Sequence, residues 1–159
     1  MFFLCVSASY SRYLKFDEFI NLINVAQKRS DVINNLELKG FEIIDFNYLW
    51  WDSGNTDDET YYYVEFQQII LDDEYQVGVT CDTETEQCYL FESSDKKERF
   101  IYFKSELSKS KIKLTEKSDD GEGNEEYTYK TDKYEMIISR YIDLAGTQKY
   151  SFSVSTFLK

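Results

Sequence analysis

The segment at residues 77–91, VGVTCDTETEQCYLF, decides the fold class. Two runs rich in β-branched and aromatic residues flank a polar turn, which is typical of a β-hairpin. Cys81 and Cys88 are equally distant from the centre of that turn, between Glu84 and Thr85. In a hairpin of this register their Cβ atoms face each other about 4.5–5.5 Å apart. The segment therefore predicts antiparallel strands linked by a Cys81–Cys88 disulfide.

The predicted disulfide bears on the compartment in which the protein works. Disulfides persist in oxidising environments such as the periplasm or the extracellular space. The alternative is a pair of free thiols in a cytosolic protein, because cytosolic cysteines usually stay reduced. We expect an exported protein, with a cytoplasmic location as the alternative.

Similar strand-like runs occur on both sides of the hairpin, separated by turns rich in Asp, Gly, Ser and Thr. The eight runs predicted as strands are 41–51, 61–71, 75–81, 87–92, 111–117, 125–131, 134–144 and 149–157. Tyr and Phe are abundant, with 14 and 12 copies, and aromatic residues favour strands. The chain is thus expected to be rich in sheet.

Helical spacing of apolar residues occurs in three places. FDEFINLINVA at 16–26 predicts a first helix, and a second follows from Ser30 to a left-handed cap at Gly40. The spacing of Phe100, Phe103 and Leu107 predicts a third helix over 97–108. The expected fold is α+β, with antiparallel sheet of about eight strands and two to three helices packed on one face.

The order of elements indicates a diverged internal duplication. LELKGFEIID at 36–45 and LSKSKIKLTE at 107–116 occupy matching positions where a helix leads into a strand. We expect a first αα-β4 half at 12–94 and a second α-β4 half at 95–159. A half of this size is marginal alone, so the two halves are expected to pack as one unit, either sheet beside sheet or as one continuous antiparallel sheet.

The first residues, MFFLCVSAS, are apolar and then small. This pattern is typical of the end of a secretory signal peptide with its cleavage site, so residues 1–11 are expected to be a signal-peptide remnant. The alternative is a short buried N-terminal strand. No apolar run is long enough to span a membrane.

Charge and composition exclude several functions. The chain has no His and a net charge of −12. Without His, a Ser-His-Asp triad, a Cys-His pair and a His-rich zinc site are impossible. An acidic chain repels phosphate backbones, so nucleic-acid binding is not expected. A basic partner would suit the charge, and plain solubility is the simpler explanation.

One aromatic stretch is a candidate binding surface. It is FNYLWWDSGNTDDETYYYVEF at 46–66, and the residues proposed for binding are Trp50, Trp51, Tyr61 and Tyr63. Two adjacent Trp on a strand point to opposite faces, so one of them should be partly exposed. The surface could bind a protein or stack on a glycan, and ordinary cross-strand aromatic pairs are the structural alternative.

Acidic loops and paired carboxylates give weaker indications. Asp119, Asp120 and Glu122 could form a weak calcium site, although solvated turns are the usual role of such runs. Among 30 acidic residues some pair always has glycosidase-like spacing, so enzyme function remains open but unsupported. The chain has no P-loop, GxGxxG, GxSxG or CxxC motif, and no cofactor is expected.

Two resemblances follow from these patterns. LKFDEFINLINV, LELKGFEII and the Tyr-rich strands resemble small, uncharacterised secreted proteins of Bacteroidetes type. That resemblance implies export and an α+β fold, and it implies no activity. The helix-plus-four-strand duplication is also similar in outline to β-lactamase inhibitory proteins, which are non-enzymatic binders.

The function that we expect from the sequence is that of a non-enzymatic, exported binding module with a protein or glycan ligand. Its aromatic sheet surface would anchor the ligand, and its acidic rim would steer a basic partner. The alternative is an acidic, immunity-type inhibitor that neutralises a basic toxin.

Overall fold

A computed structural model describes residues 13–47, 61–70, 73–82 and 84–156 of the chain. They form three helices and eight strands. The helices are α1 (Phe16–Val25), α2 (Arg29–Glu37) and α3 (Lys97–Lys109). The strands are β1 (Glu42–Asn47), β2 (Tyr61–Ile70), β3 (Asp73–Asp82), β4 (Gln87–Ser94), β5 (Lys113–Asp119), β6 (Glu125–Lys130), β7 (Tyr134–Ile142) and β8 (Gln148–Thr156).

All eight strands belong to one antiparallel sheet with the order β1-β2-β3-β4-β8-β7-β6-β5. Each half of the chain forms a meander of four strands, and the last strands of the two meanders, β4 and β8, pair with each other. The α+β class with an eight-stranded antiparallel sheet is therefore confirmed. None of the described helices is both long and apolar enough to cross a membrane.

The three helices cover one face of the sheet. The ring of Phe152 on β8 contacts Phe19 of α1 at 5.2 Å and stacks on Phe103 of α3 at 3.9 Å between centroids. On the first half, the Tyr62 hydroxyl donates to the Ala26 carbonyl oxygen just after α1. Burial of these large rings supplies most of the driving force for packing the helices onto the sheet.

The two halves share details of local geometry. The N–H of Phe41 donates to the Leu36 carbonyl at 3.1 Å after α2, and the N–H of Ile112 donates to the Leu107 carbonyl at 3.2 Å after α3. Gly40, just before Phe41, has a φ of 84°, and Lys111, just before Ile112, has a φ of 57°, so both have a positive φ.

The strands that follow these helix ends are irregular at matching positions. The register shifts between Ile43 and Asp45 on β1, and between Leu114 and Glu116 on β5. These pairs lie at equivalent positions in segments 36–45 and 107–116, the two segments that the predicted duplication matches to each other. The matching geometry supports an internal duplication, and common ancestry of the halves stays a prediction.

Some element ends differ from the sequence prediction. β5 starts at Lys113 and not at residue 111, because the left-handed conformation of Lys111 ends the helix there. The helix α2 begins at Arg29, with Lys28 as its N-cap, so Ser30 lies inside the first turn and not before it. The predicted boundary at 94/95 falls between the end of β4 and the start of α3.

Candidate functional site on the helix-free face of the sheet

The four central strands carry a band of uncharged side chains on the face opposite the helices. We call this band the uncharged strip. Register and alternation place in it Gln76, Gly78, Thr80, Tyr89, Phe91, Ser93, Ile137, Ser139, Tyr141, Ser151, Ser153 and Ser155. Within the described residues, no helix packs on this face, and Tyr89 is its most exposed aromatic side chain at 40%.

Charged side chains flank the uncharged strip, among them Lys149 on β8, which is the register partner of Tyr141. Glu65 on β2 and Glu126 on β6 lie on the same face, outside the strip on either side. Glu135, at the start of β7, is paired with Lys130 at 2.5 Å. An uncharged centre with a charged border is the usual anatomy of a protein-binding surface.

Hydroxyl groups of neighbouring strands bond to one another within the strip. The Oγ atoms of Ser139 and Ser151 lie 2.6 Å apart, and the Ser93 Oγ lies 3.2 Å from the Tyr141 hydroxyl. The Thr80 Oγ1 is buried and has no hydrogen-bond partner in the part of the chain that the structure describes. Among the described residues, the strip therefore combines hydroxyls that bond to one another with one buried hydroxyl, that of Thr80, for which no partner is seen.

Phe91 lies across the backbone of Gly78 on the neighbouring strand. A Cβ atom added at Gly78 would meet the Phe91 Cε1 at 2.1 Å, closer than any real contact. Glycine is thus required for the ring to lie flat on the sheet. The Phe91 ring is tilted by 32° to that of Tyr89, with centroids 6.0 Å apart, and Tyr89 is 40% exposed.

The residues predicted for binding are only partly described. Tyr63 lies on the helix-free face, is half-buried, and donates to the Glu65 Oε2 at 2.6 Å. Tyr61 pairs with Asp82 at the end of the same strand. Trp50 and Trp51 lie outside the described residues. On the opposite face of β2, Tyr62, Val64 and Phe66 are buried.

The predicted pairing of the cysteines is confirmed. Cys81 and Cys88 are direct partners in the β3–β4 register and lie at disulfide distance, with their Cα atoms 4.0 Å apart. Both side chains are buried on the helix side of the sheet. The bridge therefore holds together the strands that carry Thr80 and Tyr89.

A cavity of about 580 Å³ lies at one corner of the sheet. It is lined by Ser118, Asp119, Asp120, Asn124, Glu125, Glu126, Ser139, Arg140 and Tyr141. The Tyr127 hydroxyl, with help from Lys117 and Arg140, lowers the pKa of Glu125. Hydrogen bonds from the Glu122 amide and from Asn124 lower the pKa of Asp120. A general acid needs the opposite shift.

The acidic loop between β5 and β6 contains the calcium candidates. The Asp119 Oδ1 accepts from the Gly121 amide at 2.9 Å, and the Asp120 Oδ1 accepts from the Glu122 amide at 2.8 Å. These carboxylates order the loop. Within the described ranges, no three His, Cys, Asp or Glu side chains gather where they could hold a metal ion.

The sequence interpretation did not identify a buried polar cluster at the edge of the core. Arg99 of α3 makes two hydrogen bonds to Glu92 of β4, at 2.9 and 2.7 Å, and a third to the Leu14 carbonyl at 2.8 Å. The Tyr75 hydroxyl donates to the Glu92 Oε2 and accepts from the Leu14 amide at 3.2 Å. The cluster fixes the chain before α1 to the sheet and to α3.

A second carboxylate, Asp73, completes the polar cluster. It accepts from the Tyr13 hydroxyl at 2.7 Å, from the Ser94 hydroxyl at 2.5 Å and from the Asp95 amide at 2.8 Å. Burial raises the pKa of Glu92, against the attraction of Arg99, and burial also raises the pKa of Tyr75. A signal was present in the sequence, because Glu92 continues the inward positions of Cys88 and Leu90.

A smaller cavity of about 360 Å³ opens beside this cluster. It is lined by Tyr13, Lys96, Glu98, Arg99 and Tyr102. The Arg99 guanidinium lies 4.8 Å from the Tyr13 ring centre and 5.0 Å from that of Tyr102. Because Glu92 neutralises this guanidinium, the cavity offers little net charge to a ligand.

Comparisons with known proteins give no relative. No family model, no curated protein and no solved structure matches the chain.

Proposed function

We propose that this protein is a non-enzymatic, exported binding protein that holds a protein ligand against the uncharged strip. The observation that carries the proposal is an uncharged band of aromatic and hydroxyl side chains, bordered by Glu65 and Glu126 and left uncovered by the helices. The ring of Tyr89 would anchor the ligand. The acidic border and the net charge of −12 would steer a basic partner.

The size of the face supports a protein ligand over a glycan. Eight strands spaced about 4.8 Å apart, with about eight residues each, give a face of roughly 1,000 Å². One partner of a standard protein–protein interface buries about 800 Å². Phe91 is half-buried and lies beside the tilted ring of Tyr89, so the two rings do not form one flat platform for stacking a sugar.

The carboxylates of the corner cavity give less support to an enzyme. Glu125 and Asp120 both have a lowered pKa. Carboxylates with a lowered pKa stay charged and attract cations, and they are poor proton donors.

Export is supported by the position of the two cysteines, which lie at disulfide distance. An immunity-type inhibitor of a basic toxin would use the same acidic border. That alternative is compatible with a cytosolic chain whose cysteines are reduced. The compartment in which the protein is found therefore distinguishes the inhibitor from the exported binding protein that we propose.

The test uses two matched variants of the full-length protein. Ser151→Arg places a charge in the centre of the uncharged strip, and Ser105→Arg places the same charge on the exposed side of α3. Protein partners are first captured with the unchanged chain from the cells and culture medium of its source, identified by mass spectrometry and purified. Affinity is then measured for each variant.

We expect Ser151→Arg to weaken binding about tenfold or more, and Ser105→Arg to leave it unchanged. Binding should also weaken as salt is added. Equal affinity of both variants would show that the strip is not the binding surface. Binding to a glycan array that is competed by free sugar would show that the ligand is a glycan and not a protein.

A further inference from the structure

The turn between β7 and β8, residues 143–147, presents an apolar tip formed by Ile142 and Leu144. Leu144 is 110% exposed and Ile142 is 47% exposed. Single exposed leucines are common on protein surfaces. Here two exposed apolar residues stand two positions apart at the end of a hairpin, near the acidic corner cavity that includes Tyr141.

The backbone of this turn is held by several hydrogen bonds. The Asp143 Oδ1 accepts from the amides of Ala145 at 2.9 Å and Thr147 at 2.8 Å. The Asp143 amide donates to the Thr147 carbonyl at 2.9 Å. Gly146, with a φ of 81°, supplies the left-handed residue that the turn requires. Leu144 is thus displayed on an ordered backbone, which lowers the entropy cost of binding.

The base of the tip is fixed to the neighbouring hairpin. The Ile142 amide donates to the Asn124 Oδ1 at 3.0 Å, and the Arg140 Nε donates to the Gly123 carbonyl at 3.1 Å. The Ile142 end of the tip is therefore joined through Asn124 to Asp120, whose Oδ2 accepts from the Asn124 Nδ2 at 2.5 Å.

The turn between β3 and β4 provides an internal comparison. Its first residue, Asp82, accepts from the amides two and three positions on, those of Glu84 and Thr85, whereas Asp143 accepts from the amides two and four positions on. The exposed positions of that turn are polar. The described part of that turn, Glu84 to Glu86, thus exposes polar side chains, whereas the later turn exposes Leu144.

The geometry points to the apolar tip as an anchor that inserts into an apolar pocket of the partner protein, a pocket bordered by Lys or Arg side chains. The apolar pair supplies contact area, and the carboxylates of Asp119 and Asp120 at its base supply complementary charge. This inference rests on the proposed function, because the tip extends from β7 and β8, which carry half of the uncharged strip.

The test is site-specific photocrosslinking with the full-length protein. Benzoylphenylalanine is placed at Leu144 for the tip, at Tyr89 for the uncharged strip, or at Leu38 as the control. Leu38 is 83% exposed and follows α2 on the helix side. Each purified protein is irradiated in cell extract and culture medium of its source organism, and crosslinked proteins are identified by mass spectrometry.

We expect positions 144 and 89 to crosslink to the same protein and position 38 not to do so. With that partner purified, Leu144→Asp should weaken binding about tenfold or more, while Leu38→Asp and thermal unfolding of both variants stay unchanged. Crosslinking from position 89 alone, or an unchanged affinity of Leu144→Asp, would overturn the role of the tip and leave the proposed function intact. No specific crosslink from either position would overturn both.

Discussion

Lys111 differs from its counterpart in the other half at a position where glycine is favoured. Both Gly40 and Lys111 adopt a positive φ after a helix, but only glycine does so without a steric cost from Cβ. The same helix ending is therefore made with an unstrained residue in the first half and a strained one in the second.

This difference predicts opposite effects of two substitutions on stability. Lys111→Gly should raise the free energy of unfolding by about 0.5–1 kcal/mol, and Gly40→Ala should lower it by about 1 kcal/mol. Urea denaturation monitored by circular dichroism measures both. The control is Ser105→Gly inside α3, which should be destabilising by about 0.5 kcal/mol. A loss of stability in Lys111→Gly would contradict the prediction.

Gly78 predicts a second effect at a single residue. Gly78→Ala should be destabilising by about 2 kcal/mol or more, because the new Cβ forces the Phe91 ring off the sheet. In a Phe91→Ala background the same substitution should cost much less. A double-mutant cycle in urea checks this coupling, and equal costs in both backgrounds would show that the ring moves freely.

At the scale of elements, the polar cluster joins α3, β4 and the chain before α1. The bulges on β1 and β5 mark equivalent positions in the two halves. When the strand pairing is followed from each bulge, Glu92 on β4 is found to be equivalent to Val154 on β8. The second half thus has an apolar residue where the first half has a buried ion pair. Buried pairs often contribute little net stability, whereas removing one partner is costly.

The cluster therefore predicts strong coupling between Glu92 and Arg99. Glu92→Val and Arg99→Met alone should each lower the free energy of unfolding by about 3–5 kcal/mol, since each leaves a buried charge unpaired. The double variant should lose much less than the sum. Chemical denaturation of all four proteins gives the coupling energy, and additive losses would exclude it.

The single variant Arg99→Met also predicts a pH dependence. Burial raises the pKa of Glu92 in the folded chain, and the loss of Arg99 removes the attraction that opposes the shift. The folded state then binds more protons than the unfolded state, so stability falls as pH rises above about 4.3, the ordinary value of Glu. Unfolding measured between pH 4 and pH 8 checks this direction. Glu92→Val/Arg99→Met should lack the trend.

At the scale of the whole molecule, the sequence predicted the class and the eight strands because alternation and turn chemistry are local signals. Cys81 and Cys88 could be paired for the same reason, since their register follows from one turn. The β4–β8 pairing joins strands far apart in the chain, and no local pattern announces it. The Glu92–Arg99 pair was missed because it depends on how α3 packs against β4.

The compartment is tested by the intact mass of the protein recovered from its own cells, with and without reductant. An oxidised chain should be two mass units lighter than its reduced form, because the Cys81–Cys88 bridge removes two hydrogens. A chain starting near residues 9–12 would support export. A full-length chain with free thiols would overturn export and favour the immunity-type alternative.

The seam between β4 and β8 also has a consequence for synthesis on the ribosome. When the first meander has emerged, the edge of β4 still lacks β8, which is the last of the described strands to be made. During that interval the backbone N–H and C=O groups of Gln87–Ser94 are open to pairing with another nascent chain. The time needed to translate up to β8, and not the strength of any one contact, therefore determines how long the exposed edge of β4 in the nascent chain must be kept from pairing with other chains.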